Sequence, residues 1–149
     1  MTRRRLLGVF ALTATVAAML ATTAAADRVY HTERLELSGV GGAPGGGMVV
    51  NVHPNGPEVY AHEIYVLRQA VPGTYQVALT LYTDNLSCAG AGTVIPTAMI
   101  ETNAQGNGQA DVKFTPEDVE DLRGTTVSIS WSVTGPATYV TDCTVVTLD

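Results

Sequence analysis

Apolar and polar residues alternate along most of this chain, which is the pattern of strands that bury one face. The clearest example is the segment 75–82. Tyr75, Val77 and Leu79 lie on one face of it, and the residues between them are polar or small. Similar alternation or short apolar runs recur between turn signals. They predict about seven to eight short strands, at 33–37, 48–53, 59–67, 75–82, 93–102, 110–114, 126–134 and 137–148.

Three of these segments carry additional information. Residues 59–67 are mostly apolar without a clear period, so the pattern does not define their buried face. Pro96 lacks the N–H group that a central strand uses, so it predicts an edge strand or a bend within 93–102. In the segment 126–134, Trp131 shares a face with three other apolar residues. We therefore expect Trp131 in the core and the serines between these residues at the solvent face.

Glycine, proline and asparagine separate the predicted strands. The predicted turns and loops are at 38–47, 54–57, 72–74 and 103–108. One short helix is predicted near 116–123. Thr115 can cap its start, Pro116 suits its first position, and Gly124 ends it.

Regular short strands with almost no helix predict an all-β fold. We expect an antiparallel, immunoglobulin-like Greek-key sandwich that forms one domain at residues 27–149. The spacing of the two cysteines differs from that of a variable-domain disulfide, because Trp131 lies late in the chain and Cys88 lies in a loop.

Residues 1–26 have the three parts of a secretory signal peptide. Three arginines at 3–5 precede an apolar run, and a segment of small residues ends at Ala26. Ala24 and Ala26 fit the small-x-small pattern of a cleavage site, so we predict a cut after Ala26. The apolar run is shorter than the roughly 20 residues that a membrane-spanning helix needs. The arginines also fit a twin-arginine signal, but we expect a secreted protein exported by the general secretory (Sec) route.

Removal of the predicted signal makes the chain strongly acidic. The full chain has eight basic and fourteen acidic residues. Three of the basic residues lie in the signal, so the mature domain keeps five against fourteen and has a formal charge of −9. Nucleic acids and anionic membranes both require clusters of Lys and Arg. We therefore expect neither as a partner.

Cys88 and Cys143 are the two cysteines of the chain. An even number of cysteines in an exported protein predicts a disulfide. Neither residue has a CxxC partner or a nearby histidine, which argues against a redox or metal site. We predict a structural bridge between them.

The histidines are the main candidates for metal chemistry. His62 and Glu63 begin the zinc-protease pattern HExxH, but Val66 occupies the position of the second histidine. His53 and His62 could meet across a hairpin at 54–57 with Glu58 or Glu63 nearby, and such a set would suit Zn²⁺ or Cu²⁺. Two histidines on neighbouring strands are usually incidental. We therefore expect no metal and no cofactor.

Catalytic motifs are missing from the sequence. It contains no Gly-x-Ser-x-Gly nucleophile elbow. The acidic residues of the segment 117–121 crowd the predicted short helix rather than forming a pair across a cleft. We expect no catalytic residue and a protein that is not an enzyme.

Aromatic side chains offer a candidate binding surface. Tyr60, Tyr65 and Tyr82 could form a platform for a carbohydrate, and Tyr82 lies on the polar face of its strand. Packing in the core is the alternative role for these residues. No binding residue is assigned beyond these three candidates.

Two segments carry a resemblance to known proteins. The run 70–77, AVPGTYQV, and the run 102–108, TNAQGNG, resemble strand starts and hairpins in exported bacterial immunoglobulin-like β-sandwich proteins of unassigned function. Over roughly a third of its length the chain is also similar to the apoproteins that carry enediyne antibiotics, such as those of the neocarzinostatin type. That family usually has two disulfides, whereas this chain allows one. The resemblance implies a carrier with an apolar cleft.

These observations lead to three expected functions, all outside the cytoplasm. The first is a non-enzymatic protein-interaction or structural module whose partner is an extracellular protein. The second is a carrier of a small apolar ligand. The third is a metal-dependent extracellular enzyme that uses His53 and His62.

Overall fold

Nine antiparallel strands form in the part of the chain that the computed structural model describes, residues 31–53 and 60–148. They are β1 (His31–Gly39), β2 (Gly46–His53), β3 (Ala61–Arg68), β4 (Thr74–Tyr82), β5 (Thr93–Glu101), β6 (Gly108–Phe114), β7 (Thr125–Thr134), β8 (Thr138–Val140) and β9 (Thr144–Leu148). Two short 3₁₀ helices, Val40–Gly42 and Pro116–Leu122, complete these elements.

Several predictions fall on other parts of the chain. The predicted signal peptide 1–26, the cut after Ala26 and the predicted turn 54–57 lie outside the described residues. Within the described residues, no helix has the length and apolar character needed to cross a membrane.

The strands form one continuous sheet in the order β5-β4-β7-β8-β1-β2-β3-β6, and β9 also pairs with β7. Every pairing in this sheet is antiparallel. The predicted all-β, antiparallel class is therefore confirmed. The predicted two-sheet immunoglobulin-like Greek-key sandwich is not confirmed, because β8 pairs with both β7 and β1 and so joins the two halves into a nearly closed barrel.

The barrel is tighter at one end than at the other. At the closed end β8 pairs with β1 at Ser38 and Gly39. At the same end a Cβ atom on Gly108 would lie 2.5 Å from the carbonyl oxygen of Glu101, so β5 and β6 nearly touch. Toward the other end β9 takes the place of β8 beside β7, and all of its pairings among the described residues are with β7 and none with β1. The two halves of the sheet, β1-β2-β3-β6 and β5-β4-β7-β9, therefore separate at this open end.

The predicted alternation sets the inside and outside of the barrel. In β4, Tyr75 and Val77 are fully buried and Gln76 between them is exposed. In β7, Trp131 is 1% exposed, which confirms its predicted place in the core. The prediction that the serines of β7 face solvent is wrong for Ser128, which is fully buried. The loop 83–92 covers it: the Cys88 N–H donates to Ser128 Oγ at 3.2 Å.

The burial of β3 explains why the segment 59–67 lacks a clear period. Ala61, Glu63, Tyr65 and Leu67 face the interior, while the residues between them are partly exposed. The inward face thus includes a glutamate and the outward face includes the apolar Ile64. A polar residue on the inward face and an apolar residue on the outward face together hide the alternation that the strand backbone follows.

Pro96 and the short helix match their predictions. β5 is an edge of the sheet path, and its pairing with β4 shifts next to Pro96. The helix Pro116–Leu122 begins as predicted after Thr115, whose N–H donates to Asp118 Oδ2 at 2.7 Å. This bond satisfies a backbone donor at the helix start.

The predicted disulfide between Cys88 and Cys143 is present. The bridge joins the loop 83–92 to the segment 141–143 between β8 and β9. It therefore ties the connection between β4 and β5 to the segment that leads from β8 into β9.

Candidate functional site

An apolar cavity of about 240 Å³ lies inside the open end of the barrel. Side chains from both halves of the sheet and from the helix Pro116–Leu122 form its wall. The apolar lining residues are Ala61, Leu79, Leu81, Ile95, Phe114, Val119, Leu122, Val127, Ile129 and Val146. The polar ones are Asn51, His53, Glu63 and Asp118. Such a mostly apolar, concave lining with a few polar groups is typical of small-molecule sites.

A row of polar side chains crosses the barrel interior next to this cavity. Asn51 pairs in register with Glu33 on β1 and with Glu63 on β3. Residues directly opposite each other in antiparallel strands project to the same face of the sheet. Asn51 and Glu63 are each 2% exposed. This row of Glu33, Asn51 and Glu63 replaces the apolar layer that a barrel interior normally has.

Glu63 accepts hydrogen bonds from two donors inside the barrel. Trp131 Nε1 donates to Glu63 Oε2 at 2.8 Å, and the Tyr65 hydroxyl donates to the same oxygen. β3 and β7 belong to opposite halves of the sheet. The bond between Glu63 and Trp131 therefore spans the interior and joins the halves where they begin to separate.

A β-bulge adds one more polar group to the interior. Val77 pairs with Ala98 while Ala78 pairs with Pro96, so Thr97 is the extra residue. Thr97 Oγ1 lies 2.9 Å from the Tyr65 hydroxyl. Bulges re-aim side chains in this manner. The irregularity beside Pro96 thus extends the hydrogen-bonded group of Glu63, Tyr65 and Trp131 to β5.

Burial raises the pKa of the Glu63 carboxyl above its ordinary value of 4.5. Loss of water is the largest cause, and the hydrogen bonds from Tyr65 and Trp131 oppose it. Burial also raises the pKa of the Tyr65 hydroxyl, with the nearby Glu63 charge as a second cause. A proton therefore stays on Glu63 at pH values where an exposed glutamate has lost it.

This shift predicts how stability changes with pH. Above pH 4.5 the unfolded chain releases the Glu63 proton while the folded protein still holds it. The folded state then binds more protons, so the contribution of Glu63 to stability falls as pH rises through the folded-state pKa. We expect the melting temperature of the wild type, relative to Glu63→Gln, to increase when the pH is lowered from neutral toward 4.5.

Melting curves of both proteins across this pH range measure the effect. Glu63→Gln is the matched reference because the amide has the same shape and does not titrate. A difference between the two melting temperatures that stays constant, or that shrinks at acidic pH, would contradict the raised pKa.

Unpartnered polar atoms cluster at the cavity end of the barrel. Among the described residues, the buried side-chain atoms without a hydrogen-bond partner are Asn51 Oδ1, His53 Nε2 and Glu33 Oε2. The last two atoms lie 3.2 Å apart, within the distance of an ion pair. Buried polar groups are satisfied in the great majority of folded proteins. Because Glu33 and His53 face each other, Asn51 Oδ1 is the acceptor of this wall that most clearly lacks a partner.

The structure separates the residues of the suggested metal site. His62 pairs with Val52 and therefore projects to the same face of the sheet as Val52. His53 follows Val52 in β2, so it projects to the opposite face. His53 lines the cavity together with Glu63, whereas His62 Nε2 lies 3.0 Å from Asp111 Oδ2 on the outside. In residues 31–53 and 60–148, no group of three or more His, Cys, Asp or Glu side chains could hold a metal ion.

The three candidate tyrosines do not form an exposed platform. Tyr65 is fully buried and Tyr60 is 8% exposed, with the Arg123 guanidinium 5.6 Å from its ring centroid. Tyr82 pairs with Ser128, which lies on the outer face of the sheet beneath the loop 83–92, so Tyr82 belongs to the outer face of β4. Tyr60 and Tyr65 serve packing and hydrogen bonding inside the fold, which was the alternative role for them.

Neither Asn51 nor the bond between Glu63 and Trp131 is recognisable in the sequence. No motif surrounds Asn51, and Trp131 is recognisable only as a core residue. Asn51 shares a strand face with Val49, but Met48, Val50 and Val52 form the more apolar face in the sequence, and only the structure shows that Val49 and Asn51 are buried. An asparagine on the buried face of a strand is a candidate for a polar site inside the barrel.

No protein family, no curated protein and no solved structure matches the chain. The resemblance to exported β-sandwich proteins and to the enediyne-carrying apoproteins therefore stays a prediction. The class that the fold and the cavity define is an antiparallel β-protein with an internal apolar cavity.

Proposed function

We propose that this protein binds a small apolar molecule in the cavity at the open end of its barrel. The observation that carries this proposal is an internal space of about 240 Å³ whose wall is apolar except for four residues. Protein interiors are normally packed with few voids larger than a water molecule. A concave apolar wall left in contact with water is unfavourable, which favours a role in which a ligand covers it.

The size of the cavity limits the ligand. An apolar cavity of about 150 Å³ stays dry and binds benzene. By the same scale, the cavity here accommodates about ten non-hydrogen atoms. This range includes substituted benzenes, indole-like bicycles and small terpenoid compounds. A complete enediyne chromophore is much larger, so the proposal concerns a smaller ligand than the sequence resemblance implies.

The proposed binding is non-catalytic and takes place outside the cytoplasm. The signal-like segment 1–26 and the Cys88–Cys143 bridge support export, since disulfides persist in oxidising compartments. The acidic formal charge favours solubility. The expected interaction module stays a prediction, because no described surface feature favours a particular protein partner.

p-Xylene is a suitable first probe, because it is apolar and its eight carbon atoms fit the volume of the cavity. We expect it to bind the wild-type protein, measured by calorimetry and by the fluorescence of Trp131, the single tryptophan. Ala61 lines the cavity, so Ala61→Phe places a ring in the space that the ligand would occupy. We expect this variant to lose at least tenfold in affinity without a loss of thermal stability.

Ile64→Phe is the matched control. It introduces the same ring on the same strand, but Ile64 alternates with the inward residues and faces outward. Its affinity for p-xylene should equal that of the wild type. Saturable binding in the wild type that survives Ala61→Phe would place the ligand elsewhere, and absence of binding to any probe of this size would refute the proposal.

A further inference from the structure

We infer that the ligand of this cavity carries a neutral hydrogen-bond donor, a hydroxyl or N–H group, and that Asn51 Oδ1 accepts it. This inference rests on the proposed function and adds to it the polar chemistry of the ligand. It predicts small phenols, alcohols or indoles rather than pure hydrocarbons as the preferred class.

The first support is the state of Asn51 in the folded protein. Its side chain is 2% exposed, it lines the cavity, and its Oδ1 atom has no hydrogen-bond partner. A buried acceptor left unsatisfied costs about 1–3 kcal/mol. A donor on a bound ligand would remove this cost, so the empty acceptor favours ligands that bring one.

The second support is the position of Asn51 between two carboxyl groups. It pairs in register with Glu33 on one side and with Glu63 on the other. An amide NH₂ group only donates, and a carboxyl group offers acceptor oxygens whether or not it carries a proton. The NH₂ end of Asn51 is therefore best placed toward its neighbours in the row. In that orientation the carbonyl oxygen of Asn51 is the end of the amide that faces the cavity.

The third support concerns charge. Glu63 Oε2 already accepts hydrogen bonds from Tyr65 and Trp131. Asn51 Oδ1, a neutral acceptor, is the buried atom of the lining that lacks a donor and can only accept. An ammonium group among these apolar walls would lose its hydration and would need a close, ionised carboxylate in return. A neutral donor satisfies Asn51 without that cost.

A pair of probes with nearly equal shape tests this inference. p-Cresol carries a hydroxyl where p-xylene carries a methyl group. The measured quantity is the ratio of the two affinities, because it cancels most of the shared apolar contact. In Asn51→Leu we expect the ratio of p-cresol to p-xylene affinity to fall about tenfold relative to the wild type. Gln109→Leu removes an exposed amide from the outer surface of β6 and should leave the ratio unchanged.

A second measurement does not depend on the variant folding. In the wild type, the side-chain amide NMR signals of Asn51 should shift more when p-cresol binds than when p-xylene binds. Equal shifts with both probes, or an unchanged affinity ratio in Asn51→Leu, would overturn the inference while p-xylene binding keeps the proposed function. Failure of both probes to bind would refute the proposed function itself. Benzylamine binding with a greater dependence on Asn51 than p-cresol would overturn the neutral character of the donor.

Discussion

Glu63→Leu is expected to lower the free energy of unfolding by about 3 kcal/mol. The substitution removes the acceptor for the Trp131 N–H and the Tyr65 hydroxyl, both of which are buried. Each buried donor that loses its partner costs about 1–3 kcal/mol. Leucine has a similar size, so loss of packing is a small part of the effect. Urea unfolding followed by the fluorescence of Trp131 measures the change.

Two further variants separate hydrogen bonding from shape. Glu63→Gln keeps an oxygen that can accept from Trp131, so we expect it to cost less than about 1 kcal/mol near neutral pH. In the Tyr65→Phe background, Glu63→Leu breaks only the bond from Trp131, because the bond from the Tyr65 hydroxyl, which also has Thr97 Oγ1 as a partner, is already absent. The double variant should therefore be more stable than the sum of the single effects implies. Equal losses for the Gln and Leu variants would show that hydrogen bonding to Glu63 does not stabilise the fold.

The same group of residues connects stability to the proposed site. Glu63 lines the cavity and also joins β3 to β7 through Trp131. Between this bond and the closed end the interior is filled by apolar side chains. Between the bond and the open end the two halves of the sheet separate around the cavity. Loss of the bond should therefore weaken the wall of the cavity as well as the fold. A polar group that fixes both is consistent with a site built on rigid strands.

Local patterns in the sequence predicted most individual elements. The alternation in β4 and β7 matches the observed burial of Tyr75, Val77 and Trp131. The predicted turn at 103–108 contains Gly106, whose φ of 74° and close approach to the Ala70 backbone both exclude a side chain. Such features are local, because strand period and turn conformation depend on neighbouring residues.

The arrangement of the strands could not be predicted in the same way. Whether eight strands form two sheets or one nearly closed sheet depends here on two short pairings of β8, with β1 and with β7. Each involves only a few residues, and the pairing with β1 joins Ser38 to Val140, far along the sequence. Alternation fixes which side of a strand is buried, but it does not state which strand lies beside it.

The candidate site was only partly accessible from the sequence. Glu63 and His53 were singled out, but for metal binding with His62, which the strand period places on the outer face. Asn51 had no motif and gains its importance from an unsatisfied atom in a folded interior. The cavity itself arises where β9 and β1 separate, which is a property of tertiary structure. The polar row and the cavity can therefore be recognised only once the strand register is known.

Removal of the disulfide is expected to lower the free energy of unfolding by about 4 kcal/mol. The bridge joins residues that are 55 positions apart, and closing a loop of this length restricts the unfolded chain by about that amount in the chain-entropy treatment. Stabilities of single domains are typically about 5–15 kcal/mol. The loss is therefore a large part of the total. Guanidinium unfolding of the wild type, with and without a thiol reductant, measures it.

The variant Cys88→Ser/Cys143→Ser is the matched comparison, because it removes the bridge without a reductant. If the bridge acts on the unfolded chain, both routes should give the same loss, and the far-ultraviolet spectrum of the folded state should not change. The bridge also fixes the loop 83–92 to the segment before β9, at the end of the barrel that holds the cavity. We therefore expect weaker p-xylene binding in the reduced protein as well. A loss below about 1 kcal/mol would contradict the entropic origin, and unchanged binding would show that the cavity wall does not depend on the bridge.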